Sequence, residues 1–335
     1  MRVAVVGAGA WGTTVASMLA ESSDTVLWAR EPEVAAAVNE RSTNPVYLAD
    51  VALTPALVAT NELPVAVDGA EVVILAVPAQ YVRAVATDLD GLLGDGVPLV
   101  SLAKGIEHGT LLRPTQVVAE VLPGHDAGRI GVVSGPNLAR EVGAGQPAAT
   151  VVALGDPAAA AQVQALLMTD RFRVYTSDDV VGCEIGGAVK NVLAIAAGMV
   201  DGLELGWNTR AALITRGLAE LARLGVALGG QPLTFLGLAG NGDLIATCCS
   251  PLSRNHTVGV ALAAGRSIDD ILAGATSVAE GVTSTPAVLE LAGRVGVEMP
   301  IAIEVGEVLA GRSSPHDAIR SLMTREATTE LHDLG

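Results

Sequence analysis

Lysine is almost missing from this 335-residue chain: of 20 basic residues only Lys104 and Lys190 are lysines. Wherever a plain cation suffices the chain uses arginine, whose guanidinium does not lose its proton in proteins, whereas an ammonium does. The Ala-, Val- and Gly-rich composition accounts for the scarcity of lysine but not for where the last two stand. Aromatic residues are nearly as scarce, at 2 %, while half the residues are hydrophobic, so large cores have to be built from Ala, Val, Leu and Ile. The net charge of −16 argues against nucleic acid and against anionic membranes as partners, since both need a basic face. It also obliges any phosphorylated ligand to find a local basic pocket within a repelling field. Three cysteines, Cys183, Cys248 and Cys249, form no C-x-x-C pattern, and an odd count with two neighbours is a poor disulfide framework; a reducing cytoplasm fits best. The five histidines lack ligand spacing, so no metal is expected. No window of about 18–20 uninterrupted apolar residues is present, and stable membrane insertion is not expected. The apolar start MRVAVVGAGAW lacks the basic and long apolar regions of a signal peptide and is broken by glycines.

A chain of this length most naturally makes two domains. RVAVVGAGAWGTTVASMLAES reads as a buried strand, a glycine turn and a helix. The spacing Gly7-x-Gly9-x-x-Gly12 is the dinucleotide fingerprint. Gly7 permits the tight turn, Gly9 lets the backbone approach a pyrophosphate, and Gly12 lets the helix pack on the strand with the anion at the helix N-terminus. Its position after a Val-rich strand and before a helical pattern is the context so short a motif needs. A second strand, TVLWAR, ends on Arg30, where NAD-selective sites carry Asp or Glu. A guanidinium there suits a 2′-phosphate, which favours NADP(H), while Glu31 leaves NAD(H) open. Apolar strands at 71–79, 97–105, 128–136, 148–155 and 171–177 alternate with helical stretches, predicting a parallel sheet covered on both faces. Ligands bind at the carboxyl ends of such strands, which here carry Gly7, Arg30, Pro78, Lys104 and Gly135.

After Tyr175 the strand signals stop. The predicted fold class is α/β: an N-terminal Rossmann-type doubly wound sheet over 1–177, then a C-terminal all-α domain over 178–335. The turn TSDD joins them, and the two are expected to pack around a cleft. EIGGAVKNVLAIAAGMV (184–200) is apolar on nearly every helical face, so it should be buried, yet it contains Lys190, and an unpaired buried ammonium is costly. A second helix, NTRAALITRGLAELARLGVALGG, reads as opened by Asn208 or Thr209 and closed by Gly229–Gly230 with Pro232 behind. Further helices are expected at 254–264, 267–274, 284–295, 301–310 and 315–323. GLAGNGDLIATCCSPLSRN (237–255) reads as a loop that crowds glycines around Asp243 and presents Ser253, Arg254 and Asn255 where a helix starts. That arrangement suits an anion cradle; the simpler alternative is an N-cap, which needs Ser253 but neither neighbour. ATSVAEGVTST (275–285) places Glu280 in a loop of small residues.

Taken in order from residue 7 to residue 301, GAGAWGTTVA, SLAKGIE, SGPNLAREV, GGAVKNVLAIAAGM, TRGLAELARLG, GDLIATCCSPLSRN and GVEMPI resemble the bacterial NAD(P)-dependent sn-glycerol-3-phosphate dehydrogenases. The resemblance covers almost the whole chain. It implies reversible reduction of dihydroxyacetone phosphate to sn-glycerol 3-phosphate, the head-group precursor of phospholipids. By matching motif it implies dinucleotide contacts from Ala10, Trp11 and Arg30, later ones from Ala139, Val278 and Glu280, and Lys104 touching both cofactor and substrate. Gly135 and Asn137 come with the S-G-P segment on the substrate side. Lys190 matches the catalytic lysine, and Asp243, Ser253, Arg254 and Asn255 match substrate positions, Arg254 also lying near the cofactor. Three positions depart from the pattern: Asn137 stands for a common Thr, Asn241 for an apolar residue and His256 for an Arg, the last bearing on the phosphate end. A homodimer is left open.

Chemistry then gives the buried lysine a task. Hydride transfer to a ketone leaves negative charge on oxygen, and a proton must be supplied. Protonated Lys190 would supply it, and the neutral amine would take it back in the oxidative direction. Burial and a neighbouring ammonium, Lys104, lower its pKa while Asp243 opposes them, which brings an amine towards working pH. Arg254 and the helix start after Ser253 would hold the phosphate. The alternatives are a two-domain dehydrogenase for a 3-hydroxy acid or ketopantoate-like substrate, which gives Arg254 no phosphate to hold, and a dinucleotide-binding redox sensor, which needs no titratable buried lysine.

Overall fold

The side chains of β1 (Arg2–Val6) alternate between two apolar cores, Val3 and Val5 into one and Ala4 and Val6 into the other, so the strand is covered on both faces. The computed structural model describes residues 1–273, 279–327 and 329–330. β2 (Asp24–Trp28), β3 (Val58–Thr60), β4 (Val72–Leu75), β5 (Leu99–Ser101), β6 (Ile130–Ser134), β7 (Ala148–Ala153) and β8 (Phe172–Ser177) complete one sheet in the order β3-β2-β1-β4-β5-β6-β7-β8. The strand order reverses between β1 and β4, and the glycine turn lies at that switch, where open α/β sheets bind ligands.

One pair departs from the expected parallel sheet. β7 runs antiparallel to β6, with Val133 opposite Val152, while β8 returns parallel to β7. The reason lies in the link from Gly135 to Pro147. Its only helix, Ala139–Gly143, spans roughly 7 Å at 1.5 Å per residue, against roughly 17 Å for a five-residue strand. It is too short to carry the chain back along the sheet, and a parallel crossover needs such a return.

The chain divides into two compact units, Met1–Ala103 with Leu112–Val180, and Lys104–Leu111 with Val181–Gly335. The eight-residue excursion 104–111 therefore belongs with the second unit, although the strand before it belongs with the first. The described part of the second unit holds helices Val180–Gly202, Trp207–Ala227, Asp243–Cys249, Arg254–Ala263, Ile268–Ala273, Glu280–Arg294, Pro300–Leu309 and Pro315–Met323. The first of these is long and apolar enough to cross a membrane, but 89 % of its most apolar stretch is buried inside the protein, where it forms the centre of the second unit's core.

Glycine brings the Arg254–Ala263 helix against this central one. A Cβ on Gly198 would lie 2.0 Å from the His256 carbonyl oxygen, and one on Gly259 would lie 2.1 Å from that of Ile195. The two backbones therefore touch, and the start of the later helix is fixed by that contact. His256, on its first turn, places Nε2 2.8 Å from Asp201 Oδ2, and Arg210 pairs with the same carboxylate. The His256 imidazole thus links its helix to the central one. On the Trp207–Ala227 helix, buried Glu220 accepts hydrogen bonds from the backbone N–H groups of Ile301 (2.7 Å) and Ala302 (3.3 Å), capping the Pro300–Leu309 helix. Burial nevertheless pushes its carboxyl up to about 7, against those two bonds and the charges of Arg223 and Arg216.

Two helix starts differ from expectation. The Trp207–Ala227 helix is capped by extended Gly206, not by Asn208 or Thr209, which lie within its first turn. The segment read as a glycine loop is helical: a π-turn over Leu238–Gly242 runs into the Asp243–Cys249 helix, which buries Leu244, Thr247 and Cys248.

Candidate active site

In the first unit, Gly7 has φ 123°, and a Cβ there would lie 2.7 Å from the Ala76 carbonyl oxygen. Only glycine takes that turn without strain. A Cβ on Gly12 would meet the Gly7 carbonyl oxygen at 2.1 Å, so the helix Ala10–Ala20 packs hard on the turn. At Gly9, the N-cap, a Cβ would meet nothing within 4 Å. The helix start is open where a pyrophosphate has to approach, and the first N–H groups of any helix lack intrahelical acceptors. Trp11 packs against Phe172 with the rings tilted at 54° and their centroids 6.1 Å apart, and its indole Nε1 is buried with no partner among the described residues. These features fit a dinucleotide.

Gly135 (φ 152°) follows β6, and Asn137 Nδ2 donates to Thr150 Oγ1 at 2.8 Å while its Oδ1 is buried without a partner among the described residues. Ala139 opens the short helix, and its carbonyl accepts from Thr14. Past β2, the Arg30 guanidinium is exposed but committed: Nε and Nη2 donate to Glu31 Oε1 at 3.1 and 2.5 Å.

In the second unit the two lysines meet one carboxylate. Lys190 Nζ donates to Asp243 Oδ1 at 2.5 Å and to Thr247 Oγ1 at 2.7 Å; Lys104 Nζ donates to Asp243 Oδ2 at 2.6 Å. Lys190 is 6 % exposed and Asp243 1 %. Asp243 and Thr247 are four residues apart and so share one face of their helix, which the π-turn delivers at this depth. Burial brings the Lys190 ammonium down to about 8, Asp243 opposing and Lys104 reinforcing the fall. Two of its three hydrogens are spent on Asp243 and Thr247, which leaves one for a reacting oxygen. Both ammoniums share the Asp243 carboxylate, which gathers the chain's two lysines at one spot within an acidic chain.

Asn191, next along the helix, donates to the Lys104 carbonyl (2.9 Å) and accepts from Asn255 Nδ2 (2.8 Å), while Asn255 Oδ1 accepts from the Gly281 N–H (2.9 Å). This buried chain ties the Lys104 backbone to three helices. The Asn255 side chain is thereby held in one orientation beside Arg254. Ser253 is the N-cap of its helix, its Oγ accepting from His256 N at 3.3 Å. Arg254 is exposed and has no ion pair or hydrogen bond among the described residues. Glu280 starts the Glu280–Arg294 helix and adds a weaker charge that raises the Lys190 pKa. Val278 lies outside the described residues. Thr247 lies in a segment that reads as a loop from its glycines; the Asp-x-x-x-Thr spacing is the signal that points to it.

A sheet with a dinucleotide turn, followed by an all-helical unit around a buried lysine paired with acid, is the plan of the two-domain dehydrogenases. Within that class the sequence is specific. Residues 2–160 match the NAD-dependent glycerol-3-phosphate dehydrogenase N-terminus and residues 179–320 the C-terminus of the same family. The chain is 50 % identical over 330 residues to glycerol-3-phosphate dehydrogenase [NAD(P)+] of Geobacter sulfurreducens, covering 98 % of each. It is 48 % identical over 332 residues to the second such enzyme of Sphingopyxis alaskensis, covering 99 % of each. The crystal structure of glycerol-3-phosphate dehydrogenase from Coxiella burnetii superposes with a TM-score of 0.91 at 36 % identity, covering 97 % of this chain and 99 % of that one. A ketopantoate reductase from Ralstonia eutropha, at 17 % identity and a TM-score of 0.60, shares the fold alone. The chain belongs to the NAD-dependent glycerol-3-phosphate dehydrogenase family.

Proposed function

We propose that the chain reversibly reduces dihydroxyacetone phosphate to sn-glycerol 3-phosphate, supplying the head-group precursor of phospholipids in the cytoplasm, with NADP(H) or NAD(H) as cofactor and as a homodimer. The observation that carries this reading is the buried Lys190, held by Asp243 and Thr247 and brought down to about 8, in a chain that matches the family over residues 2–160 and 179–320. When bound, the dinucleotide supplies the hydride; Gly7, Gly9, Ala10, Trp11, Gly12 and Arg30 are the residues that would hold it, with Ala139 and Glu280 as further contacts.

The chain's own residues handle the proton and the phosphate. Lys190 Nζ gives its remaining hydrogen to the carbonyl oxygen as negative charge develops there, and takes it back from the alcohol in the reverse direction. Asp243 and Thr247 aim the amine, and Asp243 keeps enough ammonium present near neutrality for reduction. Lys104 adds positive charge at the same carboxylate. Arg254, standing on the first turn of a helix capped by Ser253, takes the phosphate dianion through its guanidinium and the neighbouring N–H groups. Gly135 and Asn137 are assigned to the substrate side. The test is nicotinamide absorbance with dihydroxyacetone phosphate against unphosphorylated dihydroxyacetone. A strong preference for the phosphate ester is expected; equal rates, or none with either, overturn the assignment.

A further inference from the structure

The dinucleotide site contains an ion pair that a nucleotide's ribose has to negotiate. Glu31 is the extended N-cap of the helix Pro32–Arg41, directly after the turn that follows β2, but its side chain makes no capping bond. Instead Oε1 receives three donors: Arg30 Nη2 at 2.5 Å, Arg30 Nε at 3.1 Å and the Tyr47 hydroxyl at 3.2 Å. The Glu31 side chain is 24 % exposed and the Arg30 side chain 70 % exposed, so the carboxylate sits inside and the guanidinium outside. Burial pushes the Glu31 carboxyl up, but the hydrogen bonds and charge of Arg30, with Tyr47, leave it below the usual carboxylate range, so it is ionised at neutral pH. Tyr81 is a further group in the field of Arg30.

The end of the second strand is where such sheets read the adenosine ribose: a carboxylate accepts from a 2′-hydroxyl, and an arginine pairs with a 2′-phosphate. This chain has both, already bonded to each other. We propose that Glu31 sets the dinucleotide selectivity of this site. It accepts from the 2′-hydroxyl of NAD(H), and it is the counter-ion with which the 2′-phosphate of NADP(H) must compete for Arg30. The inference rests on the dinucleotide reading above and adds to it a residue that holds back the preference Arg30 alone would give.

Calorimetric titration of the full chain with NADH and with NADPH, without substrate, tests it. The wild-type protein should bind both within about tenfold of each other, and Glu31→Gln should shift the ratio at least tenfold towards NADPH. In an Arg30→Ala background the same Glu31→Gln change should move NADPH affinity less than threefold, because no guanidinium is left to release. Since the Glu31 side chain caps nothing, the Gln variant keeps its helix start. A ratio unmoved by Glu31→Gln overturns the inference alone. So does an equal gain in NADPH affinity with and without Arg30, which would reduce Glu31 to plain charge repulsion. A wild-type chain that binds neither dinucleotide overturns the dinucleotide reading itself.

Discussion

The pH profile of catalysis should be written by one amine. With Lys190 titrating at about 8, about nine molecules in ten carry the proton at pH 7 and about one in ten at pH 9. Reduction needs the ammonium, so kcat/KM for dihydroxyacetone phosphate at saturating NADPH should be flat below about pH 8 and fall about tenfold per unit above it. Oxidation of glycerol 3-phosphate needs the neutral amine. Its kcat/KM should climb about tenfold per unit up to the same point and then level. The two limbs are bound together, because reduction consumes one proton and oxidation releases it, so the ratio of the two rates must change tenfold per unit throughout. Substrate phosphates titrate near pH 6, so rates from pH 7 to 9.5 isolate the lysine. Stopped spectrophotometric assays in both directions suffice. A break that survives in Lys190→Arg, whose guanidinium cannot titrate in this range, refutes the reasoning; so does a reductive profile flat to pH 9.5.

Three further outcomes follow from the same geometry. Thr247→Val keeps the shape but removes the oxygen 2.7 Å from Lys190 Nζ; with about 1.5–3 kcal/mol carried by a hydrogen bond to a charged group, kcat should drop roughly ten- to a hundredfold while dinucleotide affinity stays put. Arg254→Ala should raise the KM for dihydroxyacetone phosphate by roughly ten- to a hundredfold, a penalty that vanishes with unphosphorylated dihydroxyacetone. Glu220 titrates at about 7 in the fold against 4.5 unfolded, so the folded state binds its proton more tightly. That contribution is fully present below pH 4.5 and is lost as pH rises through about 7, amounting to a few kcal/mol at about 1.4 per unit. Glu220→Gln should flatten this part of the stability curve in urea unfolding from pH 5 to pH 8.

Much of this was legible because it depends on local chemistry. The glycine turn reads directly, since Gly7, Gly9 and Gly12 each answer a separate steric demand that a single strand and helix impose. Lys190 stood out because a charge inside an apolar helix has a cost that composition cannot hide. Other features depend on what meets what. A strand's residues do not state its direction, so the antiparallel β6–β7 pair follows only from the short helix that links them. Asp243 and Thr247 read as loop residues because Gly237, Gly240 and Gly242 precede them, whereas Gly240 lets the backbone approach Phe235 closely and the segment winds into the π-turn. The Arg30–Glu31 pair was visible as two adjacent letters, yet sequence could not say that they neutralise each other rather than act separately.

The excursion 104–111 makes the two units inseparable as pieces of gene. A fragment beginning at Val181 would inherit the acid, the titrating amine and Arg254, but not Lys104, whose ammonium shares the same carboxylate. Grafting the helical half onto another nucleotide-binding sheet must therefore transplant eight residues from the middle of the first half as well, or the chimera starts life one positive charge short.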